Sequence, residues 1–159
     1  MAKLNWLVVF FLFFILAHPC FADDRAKLVG SWKLVSLEQE YQATGEREQA
    51  LGKNPTGYMI FTPEGRCMVI LTGEGRKFPN NDQDRVNLLK SLFAYTGMYR
   101  VEGDKVIVKV DVSWNPGWIG TDQARSFKFD GNRLHIISAW GPHPQKGMAR
   151  GFLTFEREK

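Results

Sequence analysis

The sequence predicts an all-β chain folded as an eight-stranded antiparallel up-and-down barrel, with one helix between strands three and four. Three observations carry this. Strand-like runs are joined by tight turns such as Pro63-Glu64-Gly65, Glu102-Gly103-Asp104 and Asp130-Gly131-Asn132, in which proline presets one dihedral and glycine tolerates another. Valine recurs at 106, 108, 110 and 112, the period-two spacing of a strand with one buried face. No βαβ alternation occurs, which favours a meander, and closing a meander removes both sheet edges. Eight strands enclose an interior wide enough for side-chain filling or one small ligand; an open sandwich is the alternative.

The elements follow in order. Residues 23–29 read as a short helical turn leading into Gly30-Ser31-Trp32. Strand one, over 32–39, places Trp32, Leu34 and Ser36 on one face and Lys33, Val35 and Leu37 on the other. Residues 41–55 are polar and read as a loop, followed by strands at 58–62 and 66–72. A helix is predicted over 82–93: Asn81 caps it, Asp84 suits its positive end, and Val86, Leu89 and Phe93 recur at helical spacing beside Leu88 and Leu92. Such an insertion is expected to lie across one barrel end as a lid, with Leu89 and Phe93 inward. The remaining strands are predicted at 98–101, 105–114, 124–129, 133–139 and 149–156.

The chain has 159 residues, enough for one domain with a self-sufficient core. Residues 1–22 read as a cleavable export leader: Lys3 gives a positive start, residues 4–16 an apolar run, and Cys20-Phe21-Ala22 a small-residue cleavage site. The apolar run is too short for a membrane-spanning helix, so stable membrane insertion after cleavage is not expected. A lipid on Cys20 is disfavoured by the preceding Ala17-His18-Pro19. Domain organisation is thus a leader, 1–22, and a barrel, 23–159, secreted or periplasmic. Removal of Lys3 takes the formal charge from +4 to +3, spread along the chain, which argues against nucleic acid as a partner. Cys67 is the single cysteine beyond the leader, and mid-strand it reads as a buried, inert thiol.

Several runs carry a family resemblance. They are Gly30-Ser31-Trp32, Pro55-Thr56-Gly57-Tyr58, Tyr95-Thr96-Gly97-Met98-Tyr99-Arg100-Val101 and Asn115-Pro116-Gly117-Trp118-Ile119-Gly120-Thr121, then Arg125, Asp130-Gly131-Asn132-Arg133-Leu134 and Leu153-Thr154-Phe155-Glu156-Arg157. Together, over about residues 28–157, the chain resembles the bacterial and fungal lipocalin-like domain family of the calycin superfamily. The resemblance implies a calycin-type barrel with a ligand cavity. It also implies that Trp32 and Arg157 meet to close one barrel end, a cation stacked on an indole. Histidines that family members carry in the long middle strand are missing from Val106-Ile107-Val108-Lys109-Val110-Asp111, so chemistry dependent on them is not expected.

The residues themselves give a candidate lining set: Tyr58, Met68, Tyr99, Trp114, Trp118, Arg125, His135 and Trp140. Trp114, Trp118 and Trp140 fall at strand ends, where amphipathic rings suit both end-capping and ligand contact. Arg125 opens the strand after that cluster and would neutralise a carboxylate or enolate, or else cap carbonyls. No catalytic residue, cofactor or metal is assigned, since His135 and His143 sit in no acid-base or ligand motif. The expected function is binding of a small, mainly apolar or amphiphilic and acidic molecule in the cavity. Two alternatives remain open. One is an isomerase, cyclase or hydratase of the same fold holding a polyketide- or terpenoid-like substrate against Arg125 and His135. The other is an exported inhibitor inserting the loop 139–147 into a protein partner.

Overall fold

In the computed structural model, which describes residues 21–143 and 145–158, the chain runs α1 (Phe21–Leu28), β1 (Gly30–Tyr41), β2 (Arg47–Gln49), β3 (Thr56–Phe61), β4 (Arg66–Thr72), α2 (Asp82–Lys90), β5 (Leu92–Glu102), β6 (Lys105–Ser113), a 3-10 turn (Pro116–Trp118), β7 (Asp122–Asp130), β8 (Arg133–Ser138), β9 (Gly141–His143) and β10 (Gly147–Arg157). The leader residues Lys3, 4–16 and Cys20 lie outside the described residues. Eight strands, β1-β3-β4-β5-β6-β7-β8-β10, pair antiparallel in that order, and β10 returns to β1 to close the barrel. The short strands β2 and β9 are additions. They pair with the far halves of β1 and β10, where β1 has left β3 and β10 has left β8 while the two remain paired with each other.

Alternation puts Leu34, Met59, Phe61, Val69, Leu71, Val106, Val108, Val110, Leu134, Ile136 and Phe155 inside, all buried, each contributing about 1.5 to 3 kcal/mol. The β5–β6 pair bulges between Thr96 and Gly97. A Cβ on Gly97 would stand 2.0 Å from the Lys109 carbonyl oxygen, so the two strands approach there because the residue is glycine.

Four expectations need correction. Leu37 is buried with Trp32 and Leu34, because β1 bulges against β10 between Leu34 and Ser36 and one extra residue exchanges the faces beyond it. The segment 41–55 is not all loop, since β2 lies within it and Leu51 is buried. The helix ends at Lys90 instead of Phe93. From Leu92 on, the backbone instead pairs with β4, Phe93 standing opposite Leu71. The lid expectation also fails. α2 buries none of its residues, and Val86 and Leu89 are exposed. Polar contacts hold it: Asn81 Oδ1 accepts from the Asp84 N–H at 2.9 Å, and Arg76 donates to the Leu88 and Ser91 carbonyls at 2.8 and 3.0 Å.

The end of the barrel beside α1 is sealed. Trp32 is 1% exposed and its Nε1–H donates to the Leu28 carbonyl at 2.7 Å. The Arg157 guanidinium lies over the Trp32 ring at 4.2 Å and donates to the carbonyls of Val29, at 2.9 Å, and Lys27. Phe129 packs on the other side, 5.9 Å from the indole.

Candidate functional site

The opposite end is built from β5, β6, β7 and the turn between the last two. Asn115 Oδ1 accepts from the Gly117 N–H at 3.1 Å, capping the 3-10 turn. The Trp118 carbonyl accepts from the Thr121 N–H and hydroxyl at 3.0 and 2.7 Å. Reciprocal backbone bonds between Val110 and the Gly120-Thr121 pair fasten the turn to β6. Proline at the first helical position and asparagine before it suit this geometry, so the sequence itself fixes where Trp118 stands.

Four rings meet here edge to face. Phe93 and Trp114 are 4.9 Å apart between centroids, Trp114 and Trp118 4.8 Å, and Trp118 and Tyr95 5.4 Å. Arg125 pairs across the sheet with Val106 and Ser138. Directly paired residues share a face, and Val106 is buried inside, so Arg125 stands on the inner wall. Its guanidinium lies 5.5 Å from the Trp118 centroid. Phe93, Trp114, Trp118 and Arg125 are all partly buried, in contrast to the sealed end. Burial pushes the Tyr95 phenol up from its ordinary pKa, while the Arg125 charge acts in the opposite direction.

Of the eight residues in the candidate lining set, the structure brings Trp114, Trp118 and Arg125 together and disperses the rest. Tyr58 and Met68 are 39% and 40% exposed. The register that turns Met59 and Val69 inward turns these two outward, where with Gly57, Ile60, Ile70 and Thr72 they line an apolar groove of about 250 Å³ on the outer wall. His135 likewise faces out between buried Leu134 and Ile136, sharing a hydrogen bond with Thr154 Oγ1 at 3.2 Å. It therefore lies across the wall from Arg125, and the two side chains do not face a common space. Tyr99 is inside but belongs to the packing. It donates to the Thr62 carbonyl at 3.2 Å and meets Phe61 at 5.0 Å. Trp140 stacks under Arg150 at 4.5 Å, and Arg150 is also paired with Glu40.

The loop 139–147 is tied down as well. β9 pairs with β10, and Lys146 binds Glu48 at 2.7 Å and covers the Tyr41 ring at 4.1 Å. Phe93, expected inward on the helix and found inward on β5, and Tyr95, which the candidate lining set did not include, belong to the mouth. A second depression, of about 440 Å³, opens beside α1 and is lined by Asp24, Lys27, Asp104, Phe127, Lys128 and Phe129 among others. Cys67 is buried, and burial pushes its thiol up to about 12. Among the described residues no group of three His, Cys, Asp or Glu side chains is placed to hold a metal ion, and no helix is long and apolar enough to cross a membrane.

Residues 29–158 match the model of the lipocalin-like domain family, and the chain belongs to that family. Among solved structures, a lipocalin-like protein from Bacteroides uniformis ATCC 8492 is 14% identical with a TM-score of 0.44, the alignment covering 82% of this chain and 98% of that one. An uncharacterized protein from Bacteroides eggerthii DSM 20697 is 12% identical with a TM-score of 0.43, over 82% and 99% of the two chains. No curated protein matches the chain.

Proposed function

We propose that this lipocalin-like protein is exported and binds a small, mainly apolar molecule at the barrel mouth bounded by Phe93, Trp114, Trp118 and Arg125. One observation carries the reading. The four rings and the guanidinium converge on one end and are left partly open there, although the rest of the interior is closed by packing. Aromatic walls with a few polar groups are the usual make-up of a small-molecule site. Because the interior near Trp32 is filled by side chains, the ligand seats at the mouth by parting Trp114 and Trp118, and does not enter a deep cavity.

Native mass spectrometry of the protein purified from its own host tests this. A single small-molecule adduct present in the wild type and absent from Trp118→Ala is expected. A bare chain, or a retained protein partner instead, overturns the reading. N-terminal sequencing of the same sample tests export: a chain beginning at Asp23 is expected, and an intact leader or a lipid on Cys20 contradicts it.

A further inference from the structure

The geometry points to Tyr95 and Arg125 as a paired receptor for an oxyanion, so that the ligand of the mouth is an amphiphile carrying a carboxylate or an acidic enolate. This rests on the mouth being a small-molecule site, and adds to it a head group and a residue, Tyr95, that composition and spacing did not single out.

Tyr41, Tyr95 and Tyr99 are buried. The Tyr41 hydroxyl donates to Glu48 and the Tyr99 hydroxyl to the Thr62 carbonyl. The Tyr95 hydroxyl, on a side chain 9% exposed, has no hydrogen-bond partner among the described residues. The hydroxyl is not sealed from solvent, since the one side-chain atom among the described residues that is both buried and unpartnered is Arg150 Nε; it is therefore open to a group entering the mouth. A phenol is protonated at neutral pH in any case, and burial raises its pKa further, so the hydroxyl can donate.

The arginine brings a positive charge to the inner wall that no carboxylate among the described residues balances. Arg47, Arg66, Arg85, Arg100 and Arg150 each pair with a carboxylate. Arg125 has no acidic partner among the described residues; it donates to the Ala124 carbonyl at 2.9 Å and to Gln123 Oε1 at 3.1 Å, leaving three N–H groups unclaimed. Tyr95 and Arg125 both border the Trp118 ring, at 5.4 and 5.5 Å. The indole N–H groups of Trp114 and Trp118 also donate to nothing among the described residues. Gln123 Oε1 is already bonded to Arg125, and Ser138 Oγ accepts from the Gly151 N–H at 2.8 Å. The mouth therefore offers several donors beside one positive charge. An anionic head is favoured there, and a cationic head is repelled by Arg125.

Tryptophan fluorescence titration with decanoic acid and 1-decanol at neutral pH separates the two layers of the argument. In the wild type, decanoate is expected to bind about ten- to a hundredfold more tightly than decanol, the worth of a charge-assisted, partly desolvated pair. Arg125→Met abolishes that preference, and Arg125→Lys keeps part of it. Tyr95→Phe weakens decanoate several-fold, leaves decanol within about twofold, and does not lower the melting temperature, since it removes only an unpartnered hydroxyl. Equal affinity for acid and alcohol in the wild type overturns the oxyanion pair and leaves the apolar site standing. Binding of neither overturns the site and the pair together. Unchanged decanoate affinity in Tyr95→Phe overturns the role of Tyr95.

Discussion

Both ends of the barrel set an arginine against a tryptophan, and they do so to different ends. At the α1 end the indole N–H and both terminal nitrogens of Arg157 are spent on the carbonyls of Leu28, Val29 and Lys27. The cation sits 4.2 Å from the ring, and Trp32 is buried. At the mouth the Arg125–Trp118 separation is 5.5 Å, the ring is partly open, and its N–H has no partner among the described residues. Each guanidinium makes two hydrogen bonds to oxygen, so the cations do not distinguish the ends. The indoles do: at the seal the N–H is bonded and the ring covered, and at the mouth the N–H has no partner among the described residues and the ring is partly open.

If that distinction is sound, mutation should separate the ends in stability before it separates them in anything else. Trp32→Ala is expected to cost about 3 to 5 kcal/mol, the usual loss for a fully buried large ring, against about 1 to 2 kcal/mol for Trp118→Ala, in denaturant melts of each. Comparable losses at the two positions would make the mouth part of the core.

Cys67 measures how far dry packing extends from the sealed end, since it stands opposite Phe61 on one neighbouring strand and Gly97 on the other. Its folded pKa, raised from 9.0 to about 12, means that the folded chain holds its proton more tightly than the unfolded chain. The resulting stabilisation is complete below pH 9 and is lost as pH rises towards 12. Stability should therefore fall by roughly 2 kcal/mol more between pH 9 and 11 in the wild type than in Cys67→Ala. Parallel pH profiles would show that water reaches the thiol.

The arginines should diverge by less. Arg157→Met is expected to destabilise by about 1 to 2 kcal/mol, through lost charge-assisted bonds to the α1 end and the lost cation–ring contact, while Arg125→Met changes stability by under about 0.5 kcal/mol and acts on ligand affinity instead. The smallest effect belongs to Tyr95→Phe, which should leave the stability of the unliganded protein unchanged within about 0.3 kcal/mol, because the hydroxyl removed has no protein partner and is not sealed from solvent. A loss of stability there would mean that the hydroxyl already has a partner.

The same comparison explains what the sequence made legible. Period-two valines, glycine turns and the Asn115-Pro116-Gly117-Trp118 signal are local, and local chemistry dictated the strands, the turn and the meeting of Trp114, Trp118 and Arg125. The bulge after Leu34 is a matter of register between strands far apart in sequence, which nothing near Leu37 announces. Val86, Leu89 and Phe93 imitate a helical stripe, so the start of β5 was hidden inside an apparent helix. Phe93 is therefore read as a lid contact and Tyr95 is not read as part of the mouth: a residue cannot be assigned to a barrel wall until its strand has been found. Tyr58, Met68 and His135 were drawn towards the cavity by residue type alone, whereas their alternation with Met59, Val69 and Leu134 places them outside.

The most direct test is the indole region of a ¹H–¹⁵N spectrum during titration with decanoate, because Trp32, Trp114, Trp118 and Trp140 each contribute one side-chain N–H signal. The account predicts saturable shifts of the Trp114 and Trp118 signals, with Trp32 and Trp140 unmoved. Shifts led by Trp32, or by Trp140 with the mouth pair unmoved, would contradict it by placing the ligand away from the Arg125 end of the barrel.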